Sequence, residues 1–234
     1  NILQRAVTVF YCPYEISTGR KATERTTGMT NTELSPAGRH KMDNRQAILD
    51  SALTLFHEKG YDAVGVQQIV DSAGVTKPTL YYYFGSKQGL LSCLLREHFS
   101  KLEEQMEWLK NSPDRIADKL YRAARIFFNA ASDEPRFYLL MLALFYSGRK
   151  SEGFETVYPM IERYYQMFVD LFENASQELG NMNGRQKQFA VGFSGMLNYY
   201  LMMVARDMDD LSQLTITDQE VYAMVHQFMY GIFS

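Results

Sequence analysis

The chain has 234 residues, is 46% hydrophobic and 22% charged, and carries a net charge of −3. That is enough length and apolar content for one large or two small domains with a real core, which excludes collagen-like, disulfide-scaffold and wholly disordered chains. The longest apolar run, Phe137 to Tyr146, is too short to span a bilayer, no continuous apolar stretch of a secretory signal opens the chain, and two cysteines, Cys12 and Cys93, suit a reducing, cytoplasmic setting.

Residues 1–41 hold Pro13, Gly19, Gly28, Pro36 and Gly38 around a Ser/Thr-rich middle, without a sustained helical period. They read as a flexible N-terminal extension, and Met29 and Met42 are both possible starts of the native chain. Helical signals begin near Asp43, where Ile48, Leu49, Ala52, Leu55 and Phe56 recur at helical spacing and Gly60 supplies a stop. A second short helix fits Val66 to Ser72, with Val66, Ile69 and Val70 inward. Thr76 caps a third, running to about Phe84 with Pro78 in its first turn, and Ser86 caps a long fourth through about Lys110. Further helices are expected over Pro113–Ala131, Pro135–Arg149, Phe154–Leu179, Gly184–Met208 and Thr217–Phe233. Strand-like alternation is almost absent, so the expected fold is all-α: an N-terminal three-helix domain over residues 42–88 and a C-terminal helical domain over 89–234. Charge is uneven: residues 39–101 carry net +2 and residues 102–234 net −6, so the front could approach a polyanion that the back repels.

Residues 66–84 have the logic of a helix-turn-helix. Ala73 and Gly74 allow close crossing and a left-handed turn, Val75 plugs the angle, and Leu80 and Phe84, four apart, pin the second helix inward. Lys77, Thr79, Tyr81, Tyr82 and Tyr83 then share the outer and flanking faces. A short helix with a lysine, hydroxyls and phenols outward suits the DNA major groove, its N-terminus attracts phosphate, and Lys87 adds charge. Three adjacent tyrosines also suit semi-buried packing. Arg39, His40, Lys41 and Arg45 could form a basic arm on the DNA backbone or be solvated charges on a lead-in.

The stretch AGVTKPTLYYYFGSKQGL, Ala73 to Leu90, together with ILDSALTLFHEKGYDAVGVQQIV, Ile48 to Val70, resembles the DNA-binding signature of the tetracycline-repressor (TetR) family of transcriptional regulators. The likeness covers roughly residues 43–95. It implies a homodimer with two DNA-reading heads on double-stranded operator DNA. It also implies a helical C-terminal domain that binds a small effector and dimerises through its last two long helices. By this resemblance Lys77, Pro78 and Tyr81 contact bases, Gln67 reaches a base as in some members, and Thr76, Thr79, Tyr82, Tyr83 and Lys87 contact phosphates or backbone. Gly65 stands where the family usually has Thr or Ser, losing a capping hydroxyl, and Val70 replaces the usual alanine.

Residues 102–234 hold 22 of the 32 aromatic residues and 11 of the 13 methionines. Most are ordinary core, but the methionine excess points to an adaptable apolar cavity for a hydrophobic or aromatic effector with one or two polar anchors. The expected lining is Phe127, Phe128, Tyr138, Met141, Leu142, Phe145, Tyr164, Tyr165, Phe168, Phe193, Met196 and Tyr200. Trp108 either relays effector binding or simply packs. Small residues Gly192, Ser194 and Gly195, with Val221, Val225, Phe228 and Met229, suit a dimer interface or intrachain packing.

Enzyme readings fare poorly. Gly192-Phe193-Ser194-Gly195 is one residue short of a nucleophile elbow and lies in a helical stretch. His40, His57, His98 and His226 are scattered, and Cys93 and His98 are off the spacing that aims two ligands at one metal. No catalytic residue, metal or cofactor is expected. The reading is a ligand-responsive, sequence-specific repressor; a ligand-independent DNA-binding activator and a helical carrier of hydrophobic molecules are the alternatives.

Overall fold

The computed structural model describes residues 36–180 and 182–231, with side chains from Asp43 onward. Among them every regular element is helical. Of the expected flexible extension, residues 1–41, the part over residues 1–35 lies outside the described residues, as do the side chains of Arg39, His40 and Lys41.

Helix α1 spans Pro36–Lys59. It starts well before Asp43, so residues 36–41 are helix and not extension. These residues are too polar to print an apolar period, yet proline fits a first turn and most of the residues after it are tolerated in a helix. Its inward face buries Ile48, Leu49, Ala52, Leu53 and Phe56. It stops at Gly60, whose positive φ of 81° and N–H on the Phe56 carbonyl close the end. Next come α2 (Val66–Ala73), α3 (Lys77–Phe84) and the long α4 (Lys87–Asn111). Both α2 and α3 pack on α1.

Helix α5 covers Ile116–Asp133, and α6 Pro135–Phe145. The α5 start is later than Pro113 suggested: Ser112 donates to the Asp114 carboxylate in a turn, and Glu178 accepts the Ile116 N–H at 3.0 Å, capping α5 from a distant segment. A carboxylate there also suits the positive end of the helix. Buried Ile116, Leu120, Ala123, Ala124, Phe127, Phe128 and Ala131 form one stripe of α5. Helix α6 ends at Phe145 and not Arg149, because the Ser147-Gly148 loop leads to Ser151, whose hydroxyl accepts the Phe154 N–H and caps α7 (Glu152–Asn174). Helix α7 stops short of Leu179; the chain turns at Ala175 and Ser176. Helix α8 (Gln186–Arg206), a 3-10 turn (Leu211–Gln213) and α9 (Asp218–Tyr230) complete the chain.

Two compact units result. One holds the residues through Arg96 together with Tyr146–Thr156; the other holds Glu97–Phe145 and Val157 onward. In the second unit α5 packs against α6, α8 and α9, and a ladder of rings, Tyr164–Phe168–Phe193–Phe228 at 4.9, 5.5 and 5.0 Å, fills the interior. No helix among the described residues is long and apolar enough to cross a membrane.

The last helix is tied down at its start. Thr217 accepts the Glu220 N–H, and Glu220 accepts from the Thr217 N–H and hydroxyl and from the Tyr200 hydroxyl at 2.8 Å. These donors hold the Glu220 carboxyl below its ordinary range, Thr217 foremost, while burial and then Glu220 push the Tyr200 phenol up to about 12. Thr217→Ala is expected to lower stability by about 1 kcal/mol in urea unfolding. A carboxyl with a depressed pKa stabilises the fold above its ordinary value and loses that contribution as pH falls through the depressed one. The stability gap between wild type and Glu220→Gln therefore closes on acidification, as pH falls through the depressed pKa and the carboxyl protonates.

Candidate nucleic-acid interface and effector cavity

Helices α2 and α3 meet through a turn that the backbone specifies. Gly74 is left-handed (φ 66°, ψ 30°), its N–H reaches the Asp71 carbonyl, and the Val75 N–H reaches the Val70 carbonyl at 3.0 Å. These two bonds form a Schellman motif, which a Cβ-bearing residue at Gly74 would strain. At the α2 start Gly65 has no capping hydroxyl; instead Gln68 folds back and accepts the Gly65 N–H at 2.9 Å. Thr76 caps α3, its hydroxyl accepting the Thr79 N–H and lying 2.9 Å from the Thr79 hydroxyl. Leu80 and Phe84 are buried at 0% and 2% exposure, which turns the opposite face of α3 to solvent. That face carries Lys77, Pro78, Tyr81 and Tyr82, with the two tyrosines 47% and 63% exposed. No carboxylate occurs between Ser72 and Arg96, so the outer surface of α3 has no acidic residue of its own.

Three of the expected DNA contacts are placed differently. Tyr83 is only 3% exposed, its ring 5.1 Å from that of Tyr82 and 6.1 Å from that of Phe84. It lies three residues after Leu80 and so shares the inward side. The Lys87 ammonium donates to the carbonyls of Tyr61 and Val64, both at 3.1 Å, and sits 4.1 Å over the Tyr61 ring. Two of its three donors are thus engaged inside the unit. Arg45 places its guanidinium 5.6 Å from the Phe84 ring, on the flank of the head. Gln67 is exposed on α2 and donates to Asp71 at 2.6 Å.

Two supports of this surface escaped the sequence reading. A Cβ at Gly89 would lie 2.0 Å from the Phe84 carbonyl oxygen, so the start of α4 can press on the end of α3 only with glycine there. A glycine three residues after a serine cap, inside a helix start, was the available signal. Tyr61, behind Lys87, donates to the Glu152 carboxylate, and Gln88 donates to Thr156 at 3.2 Å. Burial, then this carboxylate, pushes the Tyr61 phenol well above its ordinary range.

The second unit contains a cavity of about 490 Å³ between α4, α5, α6 and α7. Of the expected lining, Phe127, Tyr138, Met141 and Tyr164 bound it. Phe128, Leu142, Phe145, Tyr165, Phe168, Phe193, Met196 and Tyr200 do not. Phe168 and Phe193 belong to the ring ladder, Phe128 packs on Tyr200 at 6.0 Å, and the Tyr165 hydroxyl donates to the Lys187 carbonyl. An aromatic-rich helix turns successive residues about 100° apart, so composition alone does not select the cavity side. The polar edge was missed altogether: Glu97, Lys101 and Gln105 recur at four-residue spacing on α4 and border the cavity with Asp133 and Glu134. Trp108 is exposed, with the Arg122 guanidinium 5.8 Å from its ring. Cys93 is buried, and no metal-binding cluster occurs among the described residues.

The two units thus define a helix-turn-helix protein with a cavity-bearing helical companion. Residues 48–93 match the family model of bacterial regulatory proteins, tetR family. The biofilm operon icaADBC negative transcriptional regulator IcaR of Staphylococcus aureus (strain Newman) is 24% identical over 79% of this chain and 80% of its own length. The transcriptional repressor BdcR of Escherichia coli (strain K12) is 43% identical over 26% of this chain and 31% of its own. FadR from Bacillus subtilis, solved with stearoyl-CoA, superposes with a TM-score of 0.65 at 20% identity, over 80% of this chain and 98% of that one. The TetR-family regulator PfmR from Thermus thermophilus gives 0.62 at 19% identity, over 79% and 98%. Residues 48–93 thus carry the DNA-binding module of the tetR family, and the chain is a DNA-binding transcription regulator.

Lys77→Ala is expected to cost about 1–3 kcal/mol of operator binding in a mobility-shift titration. Lys87→Met, by contrast, should lower the unfolding midpoint and leave the salt slope of DNA binding unchanged; a slope lower by about one would place its ammonium on a phosphate.

Proposed function

We propose that the chain is a homodimeric repressor that leaves its operator when a small hydrophobic or aromatic molecule enters the cavity of the second unit. One observation carries the DNA part: α3 is anchored by two fully buried side chains, with a lysine, a proline and two phenols outside and no acidic residue among them. Lys77, Pro78 and Tyr81 are assigned to bases. Thr76, Thr79 and Tyr82 are assigned to phosphates, with the α3 N-terminus adding its dipole. Lys87 and Tyr83 position α3 from behind, and Gln67 and Arg45 flank it.

The dimer part rests on the exposed faces of α8 and α9. Val191, Gly195, Tyr199 and Met202 follow one another along α8, while Tyr222, His226 and Tyr230 form a row of tilted rings on α9 at 5.9 and 4.7 Å. Large apolar side chains left outward at regular helical spacing suit a second copy of the chain. Val221 and Val225, expected in that interface, are buried in the chain's own interior. Two joined heads would enter major grooves about 34–36 Å apart, or a multiple of that. An effector favouring a dimer with another head spacing would lower affinity by no more than its preference between the two states. The repressor role is supported by the names of the IcaR and BdcR relatives, and the ligand by the cavity of the second unit.

Selection of DNA on the purified protein should return a two-fold symmetric site, and repetition with a panel of hydrophobic compounds should find one that releases it. Retention with every compound would favour the ligand-independent activator, and no DNA retention at low salt the carrier. A Cβ at Gly195 meets nothing within 4 Å in its own chain, so Gly195→Glu should yield a folded monomer in sedimentation with strongly reduced operator affinity.

A further inference from the structure

A residue on the cavity wall has a buried polar group whose hydrogen-bonding capacity is unused. Tyr164 borders the cavity, is 8% exposed, and its hydroxyl has no hydrogen-bond partner. The neighbouring phenol is already committed, since Tyr138 donates to the Asn198 side-chain oxygen at 2.7 Å. Around Tyr164 the wall is apolar: the Phe127 ring lies 5.9 Å away and Phe168 4.9 Å, with Met160 also bordering the space. A buried, unsatisfied hydroxyl costs free energy unless a ligand completes it.

We infer that the effector cavity selects an uncharged apolar molecule whose carbonyl oxygen accepts a hydrogen bond from Tyr164. This rests on the reading of the cavity as the effector site and names the chemistry that it takes. The phenol serves as a donor. Burial, and secondarily Tyr138, hold its proton well above the ordinary range, so it stays protonated at neutral pH and complements an acceptor. The charges at the border argue against an anionic ligand. Lys101 is the one lysine or arginine lining the space, and it faces Asp133 at 3.6 Å. Glu134 is held by Arg136 at 2.8 and 3.0 Å, and Glu97 adds another carboxylate to the lining. A carboxylate or phosphate brought there meets more acids than bases. The volume, about 490 Å³, falls within the range of about 300–1,000 Å³ common for small-molecule pockets.

A matched pair of probes isolates the hydrogen bond: benzophenone carries a carbonyl where diphenylmethane carries a methylene. Binding of each to the full-length protein is read by displacement of the neutral fluorophore N-phenyl-1-naphthylamine, in wild type, Tyr164→Phe and the cavity-filling Ala130→Trp. Tyr164→Phe is expected to shift the affinity ratio about five-fold against benzophenone, with diphenylmethane binding unchanged or tighter. Ala130→Trp should weaken both. A ratio unmoved by Tyr164→Phe, while Ala130→Trp weakens both probes, overturns the anchor and leaves the cavity standing. Tighter binding of 4-benzoylbenzoate than of benzophenone overturns the requirement for an uncharged ligand. If neither probe binds, or Ala130→Trp changes neither, the effector-site reading fails and the inference fails with it.

Discussion

The proposed DNA-reading surface hangs on the burial of two side chains, Leu80 and Phe84, in an eight-residue helix. A helix that short is not stable alone in water. Each buried large apolar side chain contributes about 1.5–3 kcal/mol, and here that burial also dictates which face is left over. Lys77, Pro78, Tyr81 and Tyr82 are outward because Leu80, Tyr83 and Phe84 are inward. The left-handed Gly74 sets where the helix begins, and Gly89, with no room for a Cβ against the Phe84 carbonyl, sets how closely α4 follows it.

Behind that surface the polar groups brace the head. The Lys87 ammonium ties the loop carbonyls of Tyr61 and Val64 to the start of α4, and Tyr61 in turn donates to Glu152. A lysine engaged by two carbonyls and a ring contributes rigidity more than long-range attraction. In the proposed interface, charge-based attraction of DNA would then rest on fewer residues than a count of lysines suggests, leaving more to shape and hydroxyl contacts.

The second unit shows two uses of aromatic surface. The ring ladder through Phe168, Phe193 and Phe228 is a packed interior, whereas Phe127, Tyr138 and Tyr164 border a space that their side chains do not fill. A third set, Tyr199, Tyr222 and Tyr230, stays outside, where a monomer gains nothing from it.

Helix order, the helix-turn-helix and the outward lysine were legible because they depend on local rules: apolar spacing, glycine at left-handed turns, serine or threonine at helix starts. Helix ends set by distant partners were not legible, as at α5, which starts where Glu178 can cap it. The same limit applied to side chains. Tyr82 and Tyr83 are chemically identical neighbours, and Lys77 and Lys87 equal charges. Only packing in three dimensions buries one tyrosine and occupies one lysine. Cavity walls are the extreme case, for they are assembled from four helices whose mutual rotation no local pattern encodes.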